Sequence, residues 1–195
     1  MFINWKSREL NLKIVYYGPA LSGKTTNLEY IHAHVNREKR SDLVSVKTQE
    51  DRTLFFDFLQ LDLEKISGLT PKIHLYTVPG QSYYEASRKL VLRGADGVVF
   101  VVDSAEDRLP DNERAWEDMK THLHANDIAL AGFPIIVQFN KQDLPNAMSG
   151  VSIRNSLSIG EAPSFEAVAI EGRGVFDTLK LAINSVVSRV YVEMA

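Results

Sequence analysis

The stretch that decides the fold is residues 18–25, with the sequence GPALSGKT. It fits the pattern G-x-x-x-x-G-K-[ST], in which a loop leaves a β-strand and enters a helix. The apolar run at residues 13–17 precedes it. Apolar residues at helical spacing follow it, at Leu28, Ile31 and Val35. Backbone N–H groups of such a loop point inward and cradle phosphate oxygens, helped by the helix N-terminus. The stretch therefore predicts a phosphate-binding loop.

Outward from this loop, apolar runs alternate with segments of helical period along the whole chain. Strands are predicted at residues 72–78, 98–102, 135–139 and 165–169, and a closing amphipathic helix at 175–192. Residues 51–78 hold two strands without a helix between them, which predicts a hairpin with residues 54–59 antiparallel on the edge. Residues 3–5 are a further candidate edge strand. We predict one domain over residues 1–195, an α/β three-layer P-loop NTPase fold around a mixed, mostly parallel sheet of about six strands.

Composition excludes several classes of protein. The 195 residues include no cysteine, so disulfides, thiolate metal sites and lipidation of a thiol are excluded. Phe2 follows the first Met, which argues against N-myristoylation, and no run of about eighteen apolar residues predicts a membrane span. The formal net charge of −3 does not favour nucleic-acid binding. We therefore expect a cytoplasmic protein with no direct membrane anchor and no nucleic-acid partner.

A second motif, NKQD at residues 140–143, directly follows the predicted strand 135–139. The Asp143 carboxylate can accept hydrogen bonds from both N1–H and the 2-amino group of guanine, whereas adenine would leave it unpaired. Asn140 can reach N7 of the base or anchor the phosphate loop, and the Lys141 stem can cover the base. Strand ends are where open α/β sheets bind ligands. The motif therefore predicts guanine specificity.

Three weaker signals complete the predicted site. The Gly80 amide follows a strand and could meet a γ-phosphate, and Gln81 could orient an attacking water. Thr53 is placed to close over Mg²⁺, and Arg52 is a candidate internal arginine finger. The backbone N–H of Ala169, after the last predicted strand, could donate to guanine O6.

Other features are interpreted as structural. His32 with His34, and His122 with His124, are two residues apart, so on a helix they lie about 200° apart and do not chelate from one face. We expect both pairs to face solvent. Asp103, at the end of a buried strand, is given a structural role.

These pieces, in this order, resemble a Ras-like small GTPase, and within that superfamily they resemble the bacterial mutual-gliding protein A (MglA) family. The resemblance is carried by residues 13–19, 52–59, 74–81 and 86–90. Generic GTPases have Asp where this chain has Thr77, and that threonine is typical of the MglA group.

The resemblance implies a GTP/GDP-binding switch that hydrolyses GTP to GDP and phosphate with Mg²⁺ and controls bacterial cell polarity and motility. It implies a cytoplasmic protein recruited to a cell pole, a roadblock-domain activator (MglB) and polarity effectors. It also implies an edge strand that changes register with the nucleotide.

The predicted site residues fall into three groups. The catalytic group is Lys24, Arg52, Thr53 and Gln81. The magnesium ligands are Thr25 and Thr53. The nucleotide-binding residues are Gly18, Ala20, Leu21, Ser22, Gly23, Lys24, Thr25, Thr26, Thr53, Gly80, Asn140, Lys141, Asp143, Val168, Ala169 and Ile170.

Two departures from the family pattern shape these expectations. Ala20 stands where the family generally has Gly, and its Cβ points toward the space around the γ-phosphate, which predicts slow, activator-dependent hydrolysis. Thr77 removes a carboxylate that would hold a magnesium-bound water, which predicts weaker Mg²⁺ retention in the GDP form. Asp57 is the nearest carboxylate by motif, with no position assigned. The alternatives are a switch with negligible hydrolysis that acts through effectors, and a P-loop kinase that uses ATP.

Overall fold

The computed structural model describes residues 2–46, 56–66, 68–80 and 84–194. Within this part of the chain the strands are β1 (Phe2–Asn4), β2 (Glu9–Tyr17), β3 (Val44–Val46), β4 (Phe56–Asp62), β5 (Thr70–Thr77), β6 (Gly97–Asp103), β7 (Ile135–Asn140) and β8 (Ser164–Glu166). The helices are α1 (Lys24–His34), α2 (Glu85–Leu92), α3 (Leu109–His124), α4 (Gly150–Ser156) and α5 (Val175–Met194).

The strands form one mixed sheet in the order β3-β4-β5-β2-β6-β7-β8, and β1 also pairs with β2. The pairs β5–β2, β2–β6, β6–β7 and β7–β8 are parallel. The pairs β3–β4, β4–β5 and β1–β2 are antiparallel. The parallel strands bring the loops that follow β2, β5, β6 and β7 to the same edge of the sheet, because parallel strands share their carboxyl ends.

Helices cover both faces of the sheet. On one face, Leu28 of α1 and Leu179 of α5 pack on alternate side chains of β2, such as Ile14. On the other face, Leu92 of α2 and Met119 of α3 join the core that contains Val15. Every residue of β6 is buried, as expected for a central parallel strand. The predicted α/β three-layer fold is confirmed.

The sheet differs from the prediction in its number of strands and at its edge. It has eight strands among the described residues, compared with the predicted six or so. The 54–59 strand begins at Phe56 in the part that the structure describes, and its antiparallel pairing to β5 is confirmed. It is not the edge strand, because β3 pairs along its other side. The sequence prediction missed β3 because it is only three residues long and follows a charged loop.

The histidine prediction is wrong for His122, which is buried in α3 with its Nδ1 atom 3.0 Å from the Tyr17 hydroxyl. His124 is exposed, as expected.

The described residues contain no cluster of three His, Asp or Glu side chains that could hold a metal ion. Among the same residues, no helix has the length and apolar character needed to cross a bilayer.

Candidate functional site

A cleft of about 510 Å³ opens at the carboxyl edge of the sheet, where the predicted phosphate loop lies. Its walls come from residues 20, 21 and 23–26, the start of β4, the end of β5 and the segment after β5. Leu21 and Tyr84 stand at the cleft with Thr26, and Leu21 is 83% exposed. The structure therefore brings the predicted phosphate loop together with residues from two other strands.

The conformation of the phosphate loop requires its two glycines. Gly18 has φ 145°, and a Cβ there would lie 2.2 Å from the Val101 carbonyl oxygen. Gly23 has φ 97°, and a Cβ there would lie 2.2 Å from Nδ2 of Asn140. Positive φ and close backbone approach are the two situations in which only glycine fits without strain. The motif glycines are thus explained by packing against β6 and β7.

Lys24 lies at the base of the loop with its ammonium group turned onto the loop's own backbone. Its Nζ donates to the Gly18 carbonyl at 3.0 Å and to the Pro19 carbonyl at 2.6 Å. Burial, together with the charge of Arg88, lowers the pKa of Lys24 to about 7. Anionic phosphate oxygens placed beside Nζ would raise this pKa again, because they favour the charged amine.

A carboxylate from the neighbouring strand reaches the first turn of α1. Oδ2 of Asp57, on β4, accepts the Thr25 hydroxyl at 2.6 Å and the Thr77 hydroxyl at 2.9 Å. Oδ1 of Asp57 accepts the Ser45 hydroxyl at 2.7 Å. Thr77 also accepts the Asp57 backbone N–H at 2.8 Å, so the two residues hold each other across β4 and β5. Asp57 is 8% exposed and is the functional candidate that the sequence left without a position.

These oxygens fit a magnesium ion. Mg²⁺ prefers hydroxyl, carboxylate, phosphate and water oxygens, and it usually takes only one or two ligands from the protein. The Thr25 hydroxyl and the Asp57 carboxylate supply this donor set at the cleft. Generic small GTPases have an Asp where this chain has Thr77. Here Asp57, which is hydrogen-bonded to Thr77, brings a carboxylate to the same part of the cleft.

The segment after β5 packs closely on the phosphate loop. A Cβ built on Gly80 would lie 2.4 Å from Cα of Ala20 and 2.5 Å from its backbone nitrogen. Only a residue without a side chain can lie this close to the loop. Gly80 and Ala20, both predicted to lie near the γ-phosphate, are thus in direct contact.

The base half of the site is tied to the phosphate loop by Asn140. Its Nδ2 donates to the Ser22 carbonyl at 2.8 Å, so of the two roles predicted for Asn140 the structure shows the anchor. Asp143 is exposed and forms no hydrogen bond or ion pair with any described residue. Lys141 has φ 67° and its Nζ lies 2.7 Å from Oδ2 of Asp103.

The backbone N–H of Ala169, which was predicted to donate to guanine O6, has a partner within the protein. It donates to Oδ1 of Asn140 at 2.9 Å, and its role toward guanine stays a prediction. Ala169 and Val168 are buried, and a buried N–H needs a partner. Ile170, next in the chain, is exposed.

A second connection lies beneath the site. The side-chain amides of Asn27 on α1 and Gln138 on β7 exchange two hydrogen bonds, at 2.8 and 3.0 Å. Asn27 also donates to the Gly23 carbonyl, and Gln138 donates to the Thr178 hydroxyl on α5. Both amides are fully buried. No sequence motif marks this pair, although an amide side chain within each of two otherwise apolar elements indicates a buried polar contact.

Three of the predicted catalytic residues, Arg52, Thr53 and Gln81, lie outside the described residues. Their predicted roles remain predictions.

The fold and the site define a Ras-like small GTPase. The sequence model of the ADP-ribosylation factor family matches residues 1–186. The mutual gliding-motility protein MglA of Myxococcus xanthus is 51% identical over 179 residues, which cover 92% of each chain. Human ADP-ribosylation factor-like protein 4A is 30% identical over 159 residues, 77% of this chain and 68% of that protein. Human ADP-ribosylation factor-like protein 4D is 30% identical over 174 residues, 87% of this chain and 77% of that protein. The chain therefore belongs to the MglA family of Ras-like small GTPases.

Proposed function

We propose that this GTPase is a slow GTP/GDP switch whose guanine recognition is mechanically tied to its phosphate loop. The observation that carries the proposal is the bond from Asn140, in the NKQD segment, to the Ser22 carbonyl in the phosphate loop. It sets the distance between the place for a base and the place for its phosphates. Asp143 is exposed at the same strand end, where its carboxylate is available to guanine.

In the proposed reaction, water attacks the γ-phosphorus and the bond to the β,γ-bridging oxygen breaks, which gives GDP and phosphate. Lys24 releases the loop carbonyls and stabilises charge on the phosphates. Gln81 orients the water and Arg52 adds positive charge, as the family resemblance implies. Thr53 closes over the nucleotide.

Magnesium fits the residues present. Thr25 and Thr53 are the proposed direct ligands, and Asp57 is the proposed carboxylate that orients the ion's surroundings. When bound, Mg²⁺ neutralises charge that develops on the phosphate oxygens. The chain's own contribution is that Ser45 and Thr77 hold the Asp57 carboxylate in place beside Thr25.

The cellular role is proposed from the relatives. The MglA of Myxococcus xanthus is named for gliding motility, and it covers 92% of this chain. We propose that this protein likewise controls cell polarity and motility, working from the cytoplasm at a cell pole, with a roadblock-domain activator of the MglB kind and separate effectors.

A second candidate is a switch that binds GTP with negligible hydrolysis. The contact between Gly80 and Ala20 favours it, because a loop that carries a Cβ is already closely packed where the γ-phosphate is expected. Phosphate release stimulated by an activator would reject this candidate.

One experiment tests the proposal. Nucleotide is removed from the purified protein and identified, and binding of GDP and ADP is then compared by calorimetry with ample Mg²⁺. We expect guanine nucleotide in the purified protein and a guanine preference of at least about 100-fold. Equal affinity for both nucleotides would contradict the proposal and favour the ATP-dependent kinase. Single-turnover hydrolysis of bound GTP then separates the slow GTPase from the silent switch.

A further inference from the structure

One arginine contacts the phosphate loop from outside the sequence motifs. Arg108 ends a short 3₁₀ turn, Glu106–Arg108, between β6 and α3. Its Nη2 donates to the Ala20 carbonyl at 3.0 Å, and its Nη1 lies 2.6 Å from Oδ2 of Asp111. The side chain is 29% exposed, so the guanidinium is largely enclosed between the loop and α3.

The third side of the same guanidinium faces a buried carboxylate. Nε of Arg108 lies 3.8 Å from Oδ2 of Asp103, which is also 2.7 Å from Nζ of Lys141. The Asp103 side chain is 2% exposed, and its Oδ1 accepts the Ala105 backbone N–H. A buried carboxylate needs compensating charge, and Asp103 receives it from one cation on each side. Asp103 therefore lies between the phosphate loop and the NKQD segment.

The contact with Ala20 falls next to a residue of the loop that has positive φ. The next residue, Leu21, has φ 64°, an uncommon conformation for a residue with a bulky side chain. A strained peptide keeps its orientation only when its surroundings hold it. The bond from Arg108 fixes the carbonyl of the peptide that joins Ala20 to Leu21.

We propose that Arg108 is a positioning residue for the phosphate loop, and that Asp103 couples it to Lys141 in the NKQD segment. Arginine suits this role because its planar fork can face Ala20, Asp111 and Asp103 at once, which the single ammonium group of lysine cannot do. The inference rests on the proposed nucleotide site. It adds a connection, from Lys141 through Asp103 and Arg108, by which a base bound at the NKQD segment affects the conformation of the phosphate loop.

The test compares Arg108→Lys and Arg108→Gln with the matched variants Arg114→Lys and Arg114→Gln. Arg114 lies on α3 and also pairs with Asp111, but it is 74% exposed and makes no hydrogen bond to the phosphate loop. Phosphorus NMR is recorded on bound GDP, and hydrolysis is measured per bound GTP. We expect the phosphorus resonances to shift and the hydrolysis rate to fall about tenfold in both Arg108 variants, with GDP affinity changed by less than about threefold. The Arg114 variants are expected to match the unmodified protein.

Coupling is tested with Lys141→Met. We expect this change to shift the phosphorus resonances of bound GDP in the unmodified background and to have no further effect in the Arg108→Gln background. Unshifted resonances in the Arg108 variants would overturn the positioning role, as would a lower Tm with unchanged hydrolysis and resonances. Equal shifts from Lys141→Met in both backgrounds would overturn the coupling. If the unmodified protein hydrolyses no GTP, the hydrolytic part of the proposed function fails, while the phosphorus spectra still decide the role of Arg108.

Discussion

The base half and the phosphate half of this site are held in different ways. In the base half, both polar ends of the Asn140 side chain are paired within the protein, one to Ser22 and one to Ala169. In the phosphate half, the groups expected to meet nucleotide are turned onto the protein. Lys24 bonds the carbonyls of its own loop, and the Thr25 hydroxyl bonds Asp57.

This difference assigns separate tasks to the two halves. A bound base would leave the two Asn140 hydrogen bonds in place, because both of them join parts of the protein to each other. In the proposed function, the phosphate half exchanges these internal bonds for bonds to phosphate and metal. A group that has two alternative sets of partners is what a switch requires, because a ligand shifts an equilibrium only through its different affinities for the two states.

The largest expected effect comes from breaking the base half. Asp143→Asn removes the charge that would accept two donors of guanine, and we expect the preference for GDP over ADP to fall about 100-fold. Calorimetry of both nucleotides measures it. Asp127→Asn is the control, because Asp127 is exposed in the turn after α3. An unchanged preference for GDP over ADP in Asp143→Asn would contradict the proposal that the base half selects guanine.

The next largest effect is expected in the phosphate half, at Asp57. Asp57→Asn keeps the shape but loses the charge, so we expect the Mg²⁺ concentration needed to retain bound GDP to rise about 30-fold. Titration of Mg²⁺ against GDP release measures it. Asp62→Asn, on the same strand but pointing to Lys72, is the control.

A second variant distinguishes loss of the metal site from a general loss of folding. Thr77→Asp in the Asp57→Asn background returns a carboxylate to the end of β5, and we expect it to recover much of the Mg²⁺ response. If Asp57→Asn releases GDP at the same Mg²⁺ concentration as the unmodified protein, the carboxylate has no part in the metal site.

The same contrast explains what the sequence could predict. The phosphate loop and the NKQD segment are local motifs, so a few consecutive residues are enough to predict what each of them binds. Asp57 depends on the antiparallel register of β4 against β5, which no local pattern fixes. Arg108 meets Ala20 across 88 positions of sequence, and only the β6–α3 connection brings them together. The buried His122 was missed because its partner, Tyr17, lies 105 positions away.

A smaller effect is expected from relaxing the phosphate half at Ala20. Ala20→Gly removes the side chain of the loop residue on which Gly80 packs, and we expect single-turnover hydrolysis of GTP to rise about tenfold, with GDP affinity nearly unchanged. Ala129→Gly, in an exposed loop, is the control. Equal rates for Ala20→Gly and the unmodified protein, with and without an activator, would show that this side chain does not limit hydrolysis.

The smallest effect concerns the pH dependence of the protein's stability, through His122 of α3. His122 of α3 faces Tyr17 on β2, Glu85 and Arg88 on α2, and Asp118 on its own helix. Burial lowers the pKa of His122 below its usual 6.5, although the bond to Glu85 opposes this.

The sign of the pH effect follows from this lowered pKa. The unfolded chain takes up a proton at higher pH than the folded one, so the contribution of His122 to stability is complete above about pH 6.5 and is lost as the pH falls toward the folded pKa. We expect His122→Gln to flatten the fall in Tm between about pH 7 and 5, whatever its effect at neutral pH. His124→Gln, exposed on the same helix, should keep the original slope. Parallel slopes in all three proteins would mean that α2 and α3 pack without any contribution from the charge state of this histidine.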